Sequence, residues 1–390
     1  MNASKRFLPA LLALLLAALP ACSLRSSEET DRPADKPETS VLTPDDPSGG
    51  VGETNAPSAP VSDPGPAPVD PGANDPAPED VVPISPVAQR EEPDADADFY
   101  PDGLFIYGNA VYTQAYYAEQ NADWFAKTAL YYKQLFGCRV SVIIAPLSSM
   151  TIQNPKITSV IPDQKEILDK MKALTDPSVN FVDTYDALIG HRDEYLFFHT
   201  DHHWTQRGAY YAYAAFAESV GFTPVPLSSM TYAIRNDNYS GSMYEWTKNE
   251  KVKTFEDKIE AWYPTKAHTM TVVTPEGETL NFNSSIIDMN DTYVTFIAGD
   301  NTYTLITVPD NPQDLCCLVL KDSFGNAFIP FLTEHYGQIL VVDPRKEEGN
   351  IFDKYAWMNF TDIIFINNIE AANSYAWPKL YMGAVGVALP

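Results

Sequence analysis

Leu315-Cys316-Cys317-Leu318-Val319-Leu320-Lys321-Asp322-Ser323-Phe324-Gly325-Asn326 is the stretch on which the fold turns. Its first six residues form an unbroken apolar run of strand length, without the polar alternation of a half-exposed strand, so they read as a strand covered on both faces. Lys321 to Asn326 then turns into a helix expected over residues 325–334.

The same succession recurs on either side. Residues 113–136 read as a helix, followed by an apolar strand at 139–145. Asp163, with Glu166 three positions on, forms a capping box for a helix to about residue 174. A strand follows at 180–182, then a helix over 204–219 that stops at Gly221. Residues 338–342 and 362–366 are two more strands. Strands alternating with helices imply an α/β fold, a parallel sheet flanked by helices. Between about residues 248 and 310 the pattern changes to short strands with turn signals, such as Pro275-Glu276-Gly277, and reads as a β-rich insertion.

Three places carry chemistry. Ser323 stands on a strand-to-helix turn at the carboxyl end of a parallel strand, where α/β enzymes place nucleophiles, and the helix start offers backbone N–H groups to an oxyanion. A serine there also caps helices. In Phe198-His199-Thr200-Asp201-His202-His203-Trp204, three of the six histidines fall within five positions. On an extended segment Asp201 and His203 project to one side, so the carboxylate can hold Nδ1–H and leave Nε2 as a base. His199, Asp201 and a later histidine could instead hold a metal. The third place is Asp343-Pro344-Arg345, where Arg345 is either an oxyanion or substrate contact or the structural partner of Asp343.

The first hundred residues have another character. Lys5 and Arg6 precede an apolar run at 7–19 and then Cys22, a signal peptide whose end resembles the bacterial lipobox, with the lipid on Cys22. The run is shorter than the about 20 apolar residues of a spanning helix. Residues 23–98 are rich in Pro, Ala, Asp and Glu, lack aromatics and read as a disordered tether. The tether's 18 acidic and 4 basic residues give −14 of the net −26. Such a coil spans roughly 50 Å. The expected organisation is a leader at 1–22, the tether at 23–98 and a folded domain at 99–390, lipid-anchored and extracytoplasmic. An acidic chain of this kind lacks the basic footprint of a nucleic-acid binder. Cys138, Cys316 and Cys317 read as buried thiols, or as one bridge if their strands are neighbours.

Thr200-Asp201-His202-His203-Trp204-Thr205, Lys321 to Asn326 and Asp343-Pro344-Arg345, together with Ile106-Tyr107-Gly108-Asn109 and Gly241-Ser242-Met243-Tyr244, closely resemble the DHHW family of exported bacterial proteins, related to the SGNH-hydrolase-like proteins of alginate O-acetylation. The resemblance implies a circularly permuted SGNH-like fold. It also implies Asp201 as orienter, His203 as base and Ser323 as nucleophile, with no metal and no cofactor. Arg345, Asn326, Tyr244 and Asn367 become candidates for substrate or oxyanion contacts. The implied activity is acetyl transfer to, or removal from, a cell-surface polysaccharide, with a membrane-bound O-acyltransferase as a partner. A non-catalytic glycan-binding or assembly factor is the other reading.

Overall fold

The structure is a computed structural model describing residues 96–101, 103–252, 257–288, 292–347 and 349–389. The leader, Cys22 and nearly all of the tether lie outside the described residues.

Three sheets form among the described residues. β1 (Asp98–Phe99), β2 (Leu104–Tyr107) and β3 (Ala110–Thr113) make a small antiparallel sheet. The main sheet comprises β4 (Arg139–Ala145), β5 (Asn180–Val182), β8 (Thr269–Val273), β9 (Thr279–Phe282), β10 (Tyr303–Thr307), β11 (Cys316–Lys321), β12 (Gln338–Val342) and β13 (Asp362–Asn368), in the order β5-β4-β13-β11-β12-β10-β8-β9. Its first five strands are parallel, and β10, β8 and β9 continue it antiparallel. Three strands of the β-rich stretch, β8, β9 and β10, therefore prolong the main sheet. β6 (Thr231–Tyr239) pairs separately with β7 (Asp257–Tyr263).

Five helices of eight residues or more flank the sheet among the described residues: α1 (Glu119–Phe136), α2 (Gln164–Leu174), α3 (Gln206–Ser219), α4 (Gly325–Leu332) and α5 (Ala376–Gly383). α1 packs with α2 and α5, and α3 packs with α4. β11 is buried along its whole length and β13 along all but its last residue, which fits the apolar runs Cys316–Leu320 and Ile363–Ile366 within them. Asp163 caps α2 as expected, its side chain accepting from Lys165 N and Glu166 N.

Three expectations change. The helix expected from residue 113 begins at Glu119, because residues 110–113 pair with β2 across a two-residue turn in which Gly108 takes φ 61°. β6 was unread because most of its side chains are polar and at least partly exposed. A bridge between Cys138 and Cys316 is excluded by topology. β13 lies between β4 and β11, so the two chains run about 9–10 Å apart, beyond the reach of a disulfide. All three cysteines are free thiols.

Candidate active site

The loop that carries the histidines is pinned before any catalytic contact is made. Phe197 bridges Trp204, Thr205 N donates to Leu196 O at 2.9 Å, and Thr205 caps α3. Asp257, wholly buried at the start of β7, holds the other limb. Its carboxylate accepts from Tyr195 Oη (2.7 Å), His199 N and Nδ1 (both 2.9 Å), Thr200 N (2.7 Å) and Thr200 Oγ1 (2.5 Å). His199 is thereby turned onto Asp257, away from the ligand set that a metal site with Asp201 required.

Asp201 Oδ1 accepts from His203 N (3.0 Å) and lies 2.6 Å from His203 Nδ1. Its Oδ2 accepts from Tyr239 Oη (2.9 Å), Ser242 N (3.0 Å) and Ser242 Oγ (3.2 Å). Burial alone would raise the Asp201 pKa, but the adjacent His203 and His202 rings and the Ser242 N–H hold it well below the usual carboxylate range. An ionised carboxylate only accepts, so His203 carries its proton on Nδ1. His203 Nε2 is then the acceptor for Ser323 Oγ, 2.7 Å away. Burial, with His203 beside it, pushes His202 down to about 3, leaving that ring neutral at neutral pH. Ligand atoms of Asp201, His202 and His203 fall within 4.8 Å of one another, but the hydrogen-bonded chain to Ser323 already engages two of the three residues.

Gly241 makes the Asp201 arrangement possible. A Cβ there would lie 2.3 Å from Asp201 Cβ and 2.6 Å from its Oδ2, which nothing rigid tolerates. Gly241→Ala is therefore expected to displace the carboxylate, lowering turnover at least tenfold and stability by about 1–3 kcal/mol. Turnover within twofold of wild type in a steady-state assay would show that Asp201 need not sit where it does.

Ser323 follows β11 at the entry to α4 and is half-buried. Asp322 fixes the turn, its carboxylate accepting from Phe324 N (2.9 Å) and from Asn368 N (2.7 Å) at the end of β13. Burial pushes its carboxyl up to about 6 despite those two bonds. Trp204 Nε1 donates to Phe324 O at 2.9 Å, joining the histidine loop to the serine turn. Tyr293, which sequence reasoning missed, lies flat against His203, with centroids 3.9 Å apart and planes at 9°.

The oxyanion expectation is altered. Phe324 N donates to Asp322 Oδ1, Gly325 N to Asp322 O, and Asn326 N to Ser323 O, so those three donors are engaged locally. Asn326 Nδ2 donates to Asp300 Oδ1 at 3.0 Å. Arg345 binds Asp343 Oδ2 (2.6 Å) and Asp300 Oδ2 (2.7 Å) through Nη2 and lies 5.2 Å above the Trp377 ring. Buried Lys321 donates to Asp300 Oδ1 at 2.6 Å. Asp300 thus gathers two of the sequence candidates, and it follows three left-handed residues, Ile297 (φ 49°), Ala298 (φ 61°) and Gly299 (φ 80°). A β-branched residue at positive φ is strained, and its persistence marks a position fixed by its surroundings. Tyr244 is buried in a core cluster with Leu104, Ile106 and Met243. Asn367 is wholly buried and accepts from Tyr381 Oη at 2.8 Å.

A model of the DHHW protein family matches residues 102–342. The solved structure of a DHHW family protein from Eubacterium siraeum is similar over 76% of this chain and 99% of that one, with 23% identity and a TM-score of 0.65. PatB1 of Bacillus cereus, solved with a sulfonyl adduct, is similar over 70% of this chain and 96% of its own, with 14% identity and a TM-score of 0.59. No curated protein matches the sequence.

Proposed function

The chain belongs to the DHHW family and has an SGNH-hydrolase-like α/β fold, and from that premise we propose that it is an exported serine acyl-transfer enzyme that O-acetylates or de-acetylates a cell-surface or extracellular polysaccharide. The observation that carries this reading is the continuous hydrogen-bonded chain from Asp201 through His203 to Ser323.

In this mechanism His203 Nε2 takes the Ser323 proton as Oγ attacks the donor's carbonyl carbon, and Asp201 stabilises the imidazolium that forms. The imidazolium returns its proton to the leaving oxygen as that bond breaks, leaving acetyl-Ser323. A sugar hydroxyl, or water in an esterase, then gives its proton to Nε2 and takes the acetyl group, restoring the serine. Ser323 N–H makes no hydrogen bond among the described residues and is the donor offered to the oxyanion at this turn.

The organisation proposed around this site is a lipoprotein leader at 1–22 with its lipid on Cys22, a tether at 23–98 and the catalytic domain at 99–390. A membrane-bound O-acyltransferase would supply the acyl group. No helix among the described residues is long and apolar enough to cross a membrane.

Because a sulfonyl adduct has been captured in PatB1, phenylmethanesulfonyl fluoride is the natural probe. Peptide mass spectrometry is expected to find a sulfonyl group, and after mixing with p-nitrophenyl acetate an acetyl group, on Ser323 of the full chain and to find neither in His203→Ala. Labelling elsewhere, or undiminished in His203→Ala, would remove the triad and favour the non-catalytic glycan-binding reading.

A further inference from the structure

Four rings form a single column through the site. Trp246 stacks on His202 (centroids 5.5 Å, 18°), His202 lies tilted against His203 (3.8 Å, 36°), and His203 stacks on Tyr293 (3.9 Å, 9°). The Tyr293 end is buried, whereas Trp246 at the other end is 60% exposed. An indole is a large apolar surface to leave in water, and this one lies two rings from the base. Nor does it ride on a free loop. Its short helix, Ser242–Thr247, begins at the residue whose N–H and Oγ both bind Asp201 Oδ2, so the indole is referenced to the triad.

The proton positions add a second observation. Asp201 accepts only, so the Ser242 hydroxyl donates to it and offers a lone pair to His202 Nδ1–H, 2.8 Å away. That tautomer leaves Nε2 of His202 unprotonated. It has no hydrogen-bond partner among the described residues, and the side chain is 27% exposed. A flat apolar face and an open acceptor therefore lie together beside the nucleophile.

We propose that Trp246 and His202 form the acceptor subsite: a neutral pyranose stacks its C–H face on the indole and donates one hydroxyl to His202 Nε2, beside acetylated Ser323. This rests on the acyl-transfer reading and specifies its acceptor. Neutrality follows from the local charges. Lys248 is held by Glu245 at 2.5 Å, Lys321 by Asp300 at 2.6 Å, and Arg345 by Asp343 and Asp300 at 2.6 and 2.7 Å, so these cations are already matched by carboxylates. A uronate polymer would bring further negative charge to them.

The test is calorimetric binding of chitopentaose to the full chain, with O-acetyl-chitopentaose formed from p-nitrophenyl acetate read in parallel by mass spectrometry. Trp246→Ala is expected to weaken binding at least tenfold, and to lower transfer at least ten times more than it lowers acetate release. Trp246→Phe should recover most of both losses. His202→Phe should keep the stack, weaken binding at least threefold, and shift the products towards free acetate. A mannuronate pentamer should bind at least tenfold more weakly than chitopentaose. Absence of chitopentaose binding to the wild-type chain, unchanged binding in Trp246→Ala, or a parallel fall of transfer and acetate release would overturn the subsite. Equal binding of the mannuronate pentamer would overturn its neutrality. Binding is read without turnover, so a chain that binds chitopentaose through Trp246 but never forms acetyl-Ser323 would overturn the acyl-transfer reading and leave the platform standing.

Discussion

Ser323→Ala lowers acetyl release from p-nitrophenyl acetate by about 10³-fold or more, and His203→Ala does the same. The reason is that the two side chains act as one unit. Among the described residues Ser323 Oγ hydrogen-bonds only to His203 Nε2, at 2.7 Å, and His203 is oriented for that contact by Asp201 at 2.6 Å. Removing either end leaves the other without a role, so the double variant should be no slower than either single one. Folding should be nearly untouched, because Ser323 is half-buried and loses a single hydroxyl. Progress curves for the three variants beside wild type settle the matter. Multiplicative losses, or a Ser323→Ala rate within threefold of wild type, would mean that the serine is not the nucleophile.

The largest effect on stability is expected away from the reacting atoms. Asp257→Ala removes a fully buried carboxylate on which Tyr195, His199 and Thr200 converge, and it strands their donors in an apolar setting. Losing one partner of such a network costs far more than the network's net contribution, of order 3–5 kcal/mol here. At roughly 2–4 °C per kcal/mol for a domain of this size, the melting temperature should fall by about 10 °C. Activity should fall with it, because Thr200 immediately precedes Asp201. A melting curve within 2 °C of wild type would show that water can replace the carboxylate.

The sheet was legible in the sequence because its central strands are covered on both faces and therefore monotonously apolar. The hydrogen-bonded set of Asp201, His203 and Ser323 was legible because these residues sit in short motifs that the fold brings together. Asp257, Tyr293 and Asp300 were not, since each acts on residues 21 to 90 positions away and no local pattern reports such a partner. Gly241 was quoted as a motif residue, but the 2.3 Å approach that forbids a side chain appears only once Asp201 is placed beside it. The helix-start donors assumed for the oxyanion failed for a related reason: Asp322 folds back on its own turn and occupies Phe324 N–H.

Among the described residues β13 is the last strand in chain order, yet in space it separates β4 from β11 and is hydrogen-bonded to both, joining residues 139–145 to residues 362–368. A nascent chain that has not yet reached residue 362 cannot close the sheet, and both flanking edges stay open. The long sequence separation makes that closure a slow, late event. Closure of the sheet therefore waits for residues 362–368. Until that segment arrives the sheet has no centre, and a stop before residue 362 removes its keystone rather than trimming its margin.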